Sequence, residues 1–452
     1  MAISGGATTG RMDMLNGPLL SKILMFALPL AASSVLQQLF NSVDIAVVGR
    51  FSGPEALAAV GSVSSIVNLI ISLFVGLSVG ANVLVARYVG TRNRVGIKRA
   101  VSTIFSVSVL SGFFLTAVGL LFTRPILEAI DTPDDVIDLS ALYLRLYFAG
   151  MPFITVFNFC SAILRGMGDS KRPLYCLIIS GFVNAVVNVI LVAGFGLGVL
   201  GVGLGTIVSN LLNVCMVIYI LVHEKNPFCL KLKRLGIFRE ELVFMIRIGV
   251  PAGIQGMVFA LANVCIQSSI NSFGSAAVAG SAAALTYEHI CYYLINAFTG
   301  ASVTFVGQNF AAGKKDRCRK IFIHAMWLGL LSCGLANLFF TWQKTFFIGL
   351  FSDDPNVLEF AYVRMNWVLL LQFIACSYEI SSGCLRGLGY SSLPALLTVF
   401  GTCVLRLCWV TFVVPAHHEF HILMLVYPVS WVVTGMMVLG AFFWVANKKG
   451  IF

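Results

Sequence analysis

The sequence predicts an all-α membrane protein with twelve transmembrane helices in two pseudo-symmetric six-helix bundles. Three observations support this fold class. The 452-residue chain is 58% hydrophobic and only 11% charged, whereas soluble domains carry about 25% charged residues. Apolar runs of about 20 residues, the length that crosses a bilayer, recur along the whole chain. The chain also repeats its own motifs, once in each half.

Twelve apolar runs are long enough to span a membrane. Each is predicted to be helical, because membrane-spanning strands are shorter and alternate apolar with polar residues, a pattern that this sequence lacks. The runs lie near residues 19–44, 55–85, 100–122, 137–164, 173–194, 200–222, 243–271, 277–307, 320–342, 357–385, 393–415 and 422–446.

Charge alternates between the loops that join these spans. The even-numbered loops and the end of the chain are rich in Lys and Arg, whereas the odd-numbered loops are acidic or uncharged. Because basic loops stay in the cytoplasm, both termini are predicted to be cytoplasmic and the protein to lie in the cell inner membrane. The net charge of +11 is thus a topology signal, and no nucleic-acid partner is expected. The short polar start of the chain lacks the features of a cleaved secretion signal.

An internal repeat divides the chain. The motif LRGMG at 164–168 recurs as LRGLG at 385–389, an offset of 221 residues. Two halves of six spans each insert in the same orientation, which predicts a parallel repeat with a cleft between the lobes. The predicted units are an N-terminal lobe at 1–222, a cytoplasmic linker at 223–242 and a C-terminal lobe at 243–452.

Polar side chains in the first half suggest an ion site. A charge inside the membrane costs about 2.5–3.5 kcal/mol and therefore marks a candidate functional group. Asp44 shares a face of the first span with Gln37 and Asn41. The fifth and sixth spans add three further oxygen-bearing side chains: Asn184, Asn188 and Thr206. Such oxygens suit Na⁺ or a proton held at the acid.

Two alternatives to this ion site remain open. Asp44 would cost little if it lay at the membrane interface, and paired asparagines also hold helices together.

Pro29 and Pro251 predict kinks inside the first and seventh spans, either as hinges or as static bends.

A second polar group lies in the other half. Glu288 and Tyr292 share a face of the eighth span, Glu379 lies on the tenth and Gln255 on the seventh. These side chains are candidates for contacting substrate or protons. The oxygen cluster of the first half has no counterpart 221 residues later, so the two halves are predicted to have different roles.

Three arginines also fall within spans. Arg145 and Arg364 are predicted to extend to the membrane interface, which long basic side chains reach from helix ends. Arg406 lies deeper and is expected to pair with an acid such as Glu379.

The sequence lacks the motifs of several kinds of chemistry. None of the 12 cysteines forms a CxxC pair, so packing is the expected role of most of them. The sequence has neither a phosphate-binding GxxxxGK[ST] loop nor a nucleophile elbow, and the histidines at 417–421 do not fit HExxH. We therefore expect no enzyme activity, no cofactor and no metal apart from Na⁺ as a coupling ion.

These features resemble the multidrug and toxic compound extrusion (MATE) transporters, and most closely their bacterial DNA-damage-inducible branch. The resemblance covers nearly the whole chain and depends on the order and spacing of motifs that are individually weak. They are Val43-Asp44 with Val48-Gly49, VARYVG at 85–90, LRGMGDSKRP at 164–173, Asn184-xxx-Asn188, GFGLGVLGVGLGT at 194–206, VGQN at 306–309 and LRGLG at 385–389.

The resemblance implies an antiporter that exchanges H⁺ or Na⁺ for organic, often cationic, drugs. It implies that Asp44 binds the coupling ion with Asn184, Asn188 and Thr206, and that Glu288 contacts substrate or protons. The chain departs from the pattern where Asn188 replaces an Asp common in close relatives. It also has Phe259 near the place of a seventh-span acid, and its tenth-span acid, Glu379, is displaced by about one turn.

The predicted function is ion-coupled export of drug-like small molecules by alternating access, by a monomer in the lipid bilayer. The alternative is a lipid-linked precursor flippase of a related two-lobe fold. A flippase requires a basic central cavity, for which the sequence analysis offers only Arg145, Arg364 and Arg406. An intramembrane enzyme would need a catalytic constellation that the sequence does not contain.

Overall fold

The computed structural model describes residues 11–129, 132–133 and 136–452. The first ten residues and the loop acids Asp131, Asp134 and Asp135 lie outside the described residues. Within them the spans are α1 Leu19–Phe51, α2 Gly53–Gly90, α3 Arg94–Ala129, α4 Ile137–Ala149 plus Met151–Gly166, α5 Lys171–Gly194, α6 Gly198–Val222, α7 Arg239–Asn271, α8 Ser275–Ala311, α9 Lys315–Trp342, α10 Pro355–Gly387, α11 Ser392–Ala416 and α12 Phe420–Lys448.

The predicted fold class is confirmed. Among the described residues, 11 helices are long and apolar enough to cross a membrane, and α4 brings the number to 12 if its bent pair is one span. The part of the chain that the structure describes contains no strand. The loop between α6 and α7 covers 223–238, so the last four residues of the predicted linker already belong to α7.

The bend in α4 has a local cause. The two segments meet at 44° beside Pro152, which lacks a backbone N–H and cannot donate to the carbonyl of Phe148. The hydroxyl of Thr116 on α3 donates to that carbonyl at 2.7 Å instead. The side chain of a neighbouring helix thus satisfies the acceptor that proline leaves free, as interrupted membrane helices require.

Helices α2 and α7, one from each half of the chain, pack against each other at glycine residues. A Cβ at Gly76 would lie 2.3 Å from the Cα of Gly253, and one at Gly80 would lie 2.2 Å from the carbonyl oxygen of Met245. Each helix carries glycines four residues apart, at 76 and 80 and at 249 and 253. This spacing brings membrane helices into backbone contact, where dispersion forces are strongest.

Helix α1 packs against both halves. Near its start, Phe26 meets Phe305 of α8 edge to face, with ring centroids 5.8 Å apart, inside the core of the second half. Near its end, Val48 packs with Val192 and Val202 of the first half. Pro29 lies between these two segments, in the helix that connects both cores.

A strap formed by residues 11–17 crosses one end of the molecule. The side chain of Arg11 forms an ion pair with Glu224 in the loop before α7, with 2.5 Å between Nη2 and Oε1. At the other end of the strap, Lys314 donates to the carbonyl of Leu15 at 2.7 Å and Arg317 to that of Gly17 at 2.9 Å. The strap therefore joins the ends of both halves.

Candidate functional site

Two adjoining cavities lie between the helices. The first, which we call the acidic cavity, has a volume of about 370 Å³ and is lined by α1, α5 and α6 together with parts of α2, α4 and α8. The second, the central cavity, has a volume of about 450 Å³ and lies between the two halves. Gln37 and Asn296 line both cavities, so the two spaces adjoin.

Asp44 is the charged group of the acidic cavity among the described residues. The side-chain amide of Asn188 donates to Asp44 Oδ1 at 2.5 Å and to Asn184 Oδ1 at 3.3 Å. The amide of Asn184 in turn donates to the hydroxyl of Ser209 at 3.4 Å. One chain of polar groups thus connects α1, α5 and α6.

Small residues make room for this chain. A Cβ at Gly205 would lie 1.9 Å from Asn188 Oδ1, and one at Gly181 would lie 1.7 Å from the ring of Phe40. Glycine at these two positions lets α6 and α1 approach α5 closely. Asn188 Oδ1 is buried without a hydrogen-bond partner in the described structure. An unpaired amide oxygen beside a carboxylate is a suitable ligand for a hard cation.

The remaining first-half candidates line the same cavity. Gln37, Asn41 and Thr206 all contribute to its wall. The hydroxyl of Thr206 donates to the carbonyl of Val202 on its own helix at 3.0 Å, which leaves its oxygen lone pairs free for a further contact. The structure therefore brings together all six residues that the sequence nominated for the ion site.

The second-half candidates separate into two groups. Tyr292, Gln255 and Glu379 line the central cavity, where the Tyr292 hydroxyl donates to Glu379 Oε1 at 2.9 Å. Glu288 lines neither cavity among those described. It is 5% exposed and forms a two-bond ion pair with Arg364, at 2.6 and 3.0 Å.

Two predictions about arginines are wrong. Arg364 does not extend to the interface; it is 2% exposed, because its ion pair with Glu288 compensates its charge inside the protein. Arg406 does not pair with Glu379. Its guanidinium donates to Ser430 and Asn263 and lies 4.6 Å from the ring centroid of Tyr427, so polar oxygens and an aromatic face stabilise the cation.

Two cavity arginines were missed by the sequence analysis. Arg165 was assigned to a basic loop and Arg386 was read only as part of a repeat motif, yet both line the central cavity. The signal that could have found them is their repeat position: both follow Leu and precede Gly at the end of a span. Basic residues there resemble ordinary loop charges, and only the packing shows that they face inward.

A helical membrane protein with polar cavities between two packed halves has the architecture of a solute transporter. The MatE family model matches residues 29–190 and 251–410, one segment in each half. The chain therefore belongs to the MatE family of multidrug efflux transporters, whose members are not enzymes.

Relatives agree with this assignment, and solved structures share the fold. The chain is 30% identical to the probable multidrug resistance protein YoeA of Bacillus subtilis, over 94% of each chain. It is 27% identical to YpnP of the same organism, also a probable multidrug resistance protein, over 87% of this chain and 88% of the relative. Its fold matches an outward-facing MATE transporter with a TM-score of 0.90 at 21% identity, over 98% and 100% of the two chains.

Proposed function

We propose that this protein is an antiporter that exports drug-like organic molecules in exchange for H⁺ or Na⁺ bound at Asp44. Its MatE membership and the multidrug resistance names of its relatives support the export of small molecules. The observation that carries the ion coupling is the position of Asp44, which lines a cavity that adjoins the central one and accepts a hydrogen bond from Asn188 at 2.5 Å.

The coupling follows from the cost of an uncompensated charge. A carboxylate inside the membrane needs a counter-ion, a proton or strong hydrogen-bond donors. A bound ion neutralises Asp44 and favours the arrangement of α1, α5 and α6 that holds it, whereas loss of the ion favours a different arrangement. An ion gradient drives transport when these two arrangements expose the central cavity to opposite sides.

The strap is compatible with one of these two arrangements, the one that exposes the central cavity to the side opposite the strap. It joins the ends of both halves on the side of the basic loops. We assign this side to the cytoplasmic face of a bacterial inner membrane. Both termini lie on that side in our assignment, and the protein acts as a monomer. We also propose that the protein belongs to the DNA-damage-inducible branch of the MATE transporters. In this proposal the strap closes the cytoplasmic side, and substrate leaves on the opposite side.

A flippase for lipid-linked precursors is the weaker candidate. The family match does not favour it, although the central cavity contains two arginines that the sequence analysis did not count. A flippase also gives no role to the polar chain that connects Asp44, Asn188 and Asn184.

Ethidium efflux from cells that lack their own pumps tests the proposal. Cells with the wild-type chain should export the dye, and Asp44→Asn should abolish export at equal protein abundance. Glu55→Gln, which removes an exposed acid outside both cavities, is the control and should export normally. Unchanged efflux in Asp44→Asn would remove Asp44 from the mechanism.

A further inference from the structure

Arg165 and Arg386 occupy equivalent places in the two halves. Each follows the Leu of an LRG motif, 221 residues apart, and both side chains line the central cavity. Glu379 is the third charged residue in the described lining, so the wall carries two cations and one anion.

The ends of α4 and α10 explain this placement. Gly168 and Gly389 have φ angles of 97° and 92°, the left-handed conformation that glycine adopts without strain. The N–H of Gly168 donates to the carbonyl of Arg165, and that of Gly389 to the carbonyl of Arg386, both at 2.9 Å. The same helix-ending turn therefore fixes the backbone of both arginines.

Close packing holds these helix ends against the neighbouring spans. A Cβ at Gly166 would lie 2.8 Å from Val85 Cβ on α2, and one at Gly387 would lie 2.8 Å from the carbonyl oxygen of Val303 on α8. Gln308 also donates to the carbonyl of Gly166 at 2.8 Å. The two arginines thus project from rigid helix ends, which favours a preformed binding site.

Neither guanidinium has a carboxylate partner in the described structure. Arg386 donates to Gln255 Oε1 at 2.7 Å, while its Nε is buried and unpaired. Among the described residues, the side chain of Arg165 has no hydrogen bond and no ion pair. The acid nearest in this wall, Glu379, accepts its hydrogen bond from Tyr292. Two cations with one acid between them, and no carboxylate in contact with either, leave the cavity wall with an excess positive charge that an anionic ligand would balance, since desolvated charge is costly when unpaired.

We propose that Arg165 and Arg386 bind the carboxylate or phosphate group of an amphipathic organic substrate. This inference rests on the proposed transport function and adds a substrate class to it, organic anions and zwitterions. The planar guanidinium is suited to both groups because it donates two parallel hydrogen bonds to paired oxygens.

The remaining wall fits the rest of such a molecule. A volume of about 450 Å³ lies within the range of about 300–1,000 Å³ typical of small-molecule sites. Leu30, Phe157 and Phe259 offer apolar surface to a flat ring system. Glu379 lies two helical turns from Arg386 on α10, roughly 10 Å along the axis, and can accept a hydrogen bond from an amine of a zwitterionic substrate.

A matched pair of dyes tests the substrate class: a rhodamine with a free carboxylate and its ethyl ester, which differ by one negative charge. Both are added to the purified full-length protein, with fluorescence polarisation reporting binding and proteoliposomes reporting transport. Arg165→Gln and Arg386→Gln should each weaken binding of the carboxylate dye about tenfold or more, the effect of losing one charge-assisted contact. Binding of the ester should change less than about twofold, and Arg145→Gln, an exposed arginine outside both cavities, should change neither.

The outcomes separate this inference from the proposed function. Transport of the ester with equal carboxylate binding in the wild type and both variants would overturn the inference and leave the antiporter intact. Absence of all transport, with arginine-dependent carboxylate binding, would overturn antiport but support the site. Displacement of the carboxylate dye by phosphatidylglycerol, but not by free benzoate or an alkyl phosphate, would assign the arginines to lipid headgroups and overturn the substrate proposal.

Discussion

Asn188 on α5 donates its side-chain amide to the Asp44 carboxylate on α1 at 2.5 Å. The same amide reaches Asn184 at 3.3 Å, while the amide oxygen of Asn188 stays unpaired beside Gly205. Asn188 is therefore both a donor to the acid and a candidate ligand for a cation near it.

Replacement of Asn188 by Ala should impair transport without unfolding the protein. Asp44 would lose its amide donor, and a hydrogen bond to a charged group contributes about 1.5–3 kcal/mol, which corresponds to a roughly 10–100-fold change. We expect a loss of that order in the initial rate of drug-driven ion release from proteoliposomes. Asn210→Ala is the control, because Asn210 lines the acidic cavity but donates to the carbonyl of Thr206 on its own helix and not to Asp44. Equal rates in both variants would contradict a role for Asn188.

Gly205→Ala should have a similar effect by steric displacement. The added Cβ would lie 1.9 Å from Asn188 Oδ1, so the Asn188 side chain would have to move away from Asp44. Gly194→Ala is the matched control, since a Cβ there meets nothing within 4 Å. Transport assays on both variants at equal abundance check the prediction. A transport defect in Gly194→Ala but not in Gly205→Ala would mean that the space beside Asn188 does not limit transport.

Much of the fold and of the ion site could be predicted from the internal repeat, the apolar runs and the spacing of polar residues. Eleven predicted spans each correspond to one described helix, and the span at 137–164 corresponds to the bent pair of α4. Lipid requires the backbone to satisfy its own hydrogen bonds, so apolar runs of this length predict helices. The spacing of Gln37, Asn41 and Asp44 on one helix face predicted residues that line one cavity. The spacing of Asn184 and Asn188 predicted a pair that meets Asp44 there: Asn184 lines the cavity, and Asn188 donates to both Asp44 and Asn184.

The partners of buried charges could not be predicted in this way. Glu288 and Arg364 are 76 residues apart, and only the packing of α8 against α10 brings them together. Arg165 and Arg386 are basic residues at the ends of spans, where loop charges also occur. Only the helix-ending turns place them in the central cavity. Local patterns determine helices and helix faces, whereas contacts between distant helices depend on the assembled structure.

Glu288→Gln should destabilise the protein. It would leave Arg364, which is 2% exposed, without a compensating charge, and breaking a buried ion pair costs about 3–5 kcal/mol. We expect a clear fall in the melting temperature of the detergent-solubilised protein. In contrast, Glu128→Gln, which removes an exposed partner of Arg124, should change stability by less than about 1 kcal/mol. A stable Glu288→Gln protein that fails to transport would instead indicate that Glu288 acts in transport.

The strap should weaken in acid. Burial raises the pKa of Glu224, but the hydrogen bond from Arg172 and the charge of Arg11 outweigh burial and hold that pKa below its usual range. A lowered folded-state pKa contributes stability above the unfolded-state pKa, and this contribution is lost as pH falls through the folded-state value.

The measurement for this prediction is the melting temperature between neutral pH and about pH 3, below the ordinary carboxyl pKa of about 4.3. The difference between the wild type and Glu224→Gln should be largest near neutral pH and should shrink as the pH falls. Glu359→Gln removes an exposed acid outside the strap and serves as the control. A difference that is independent of pH would mean that the charge of Glu224 does not stabilise the strap.

The most direct test of the central claim is uptake of a fluorescent drug into proteoliposomes under a proton gradient or a sodium gradient, each imposed alone. The wild-type chain should move drug against its concentration gradient under at least one of the two, and Asp44→Asn should lose this driven transport under both. Gradient-driven transport that persists in Asp44→Asn, at a rate equal to that of the wild type, would contradict the account.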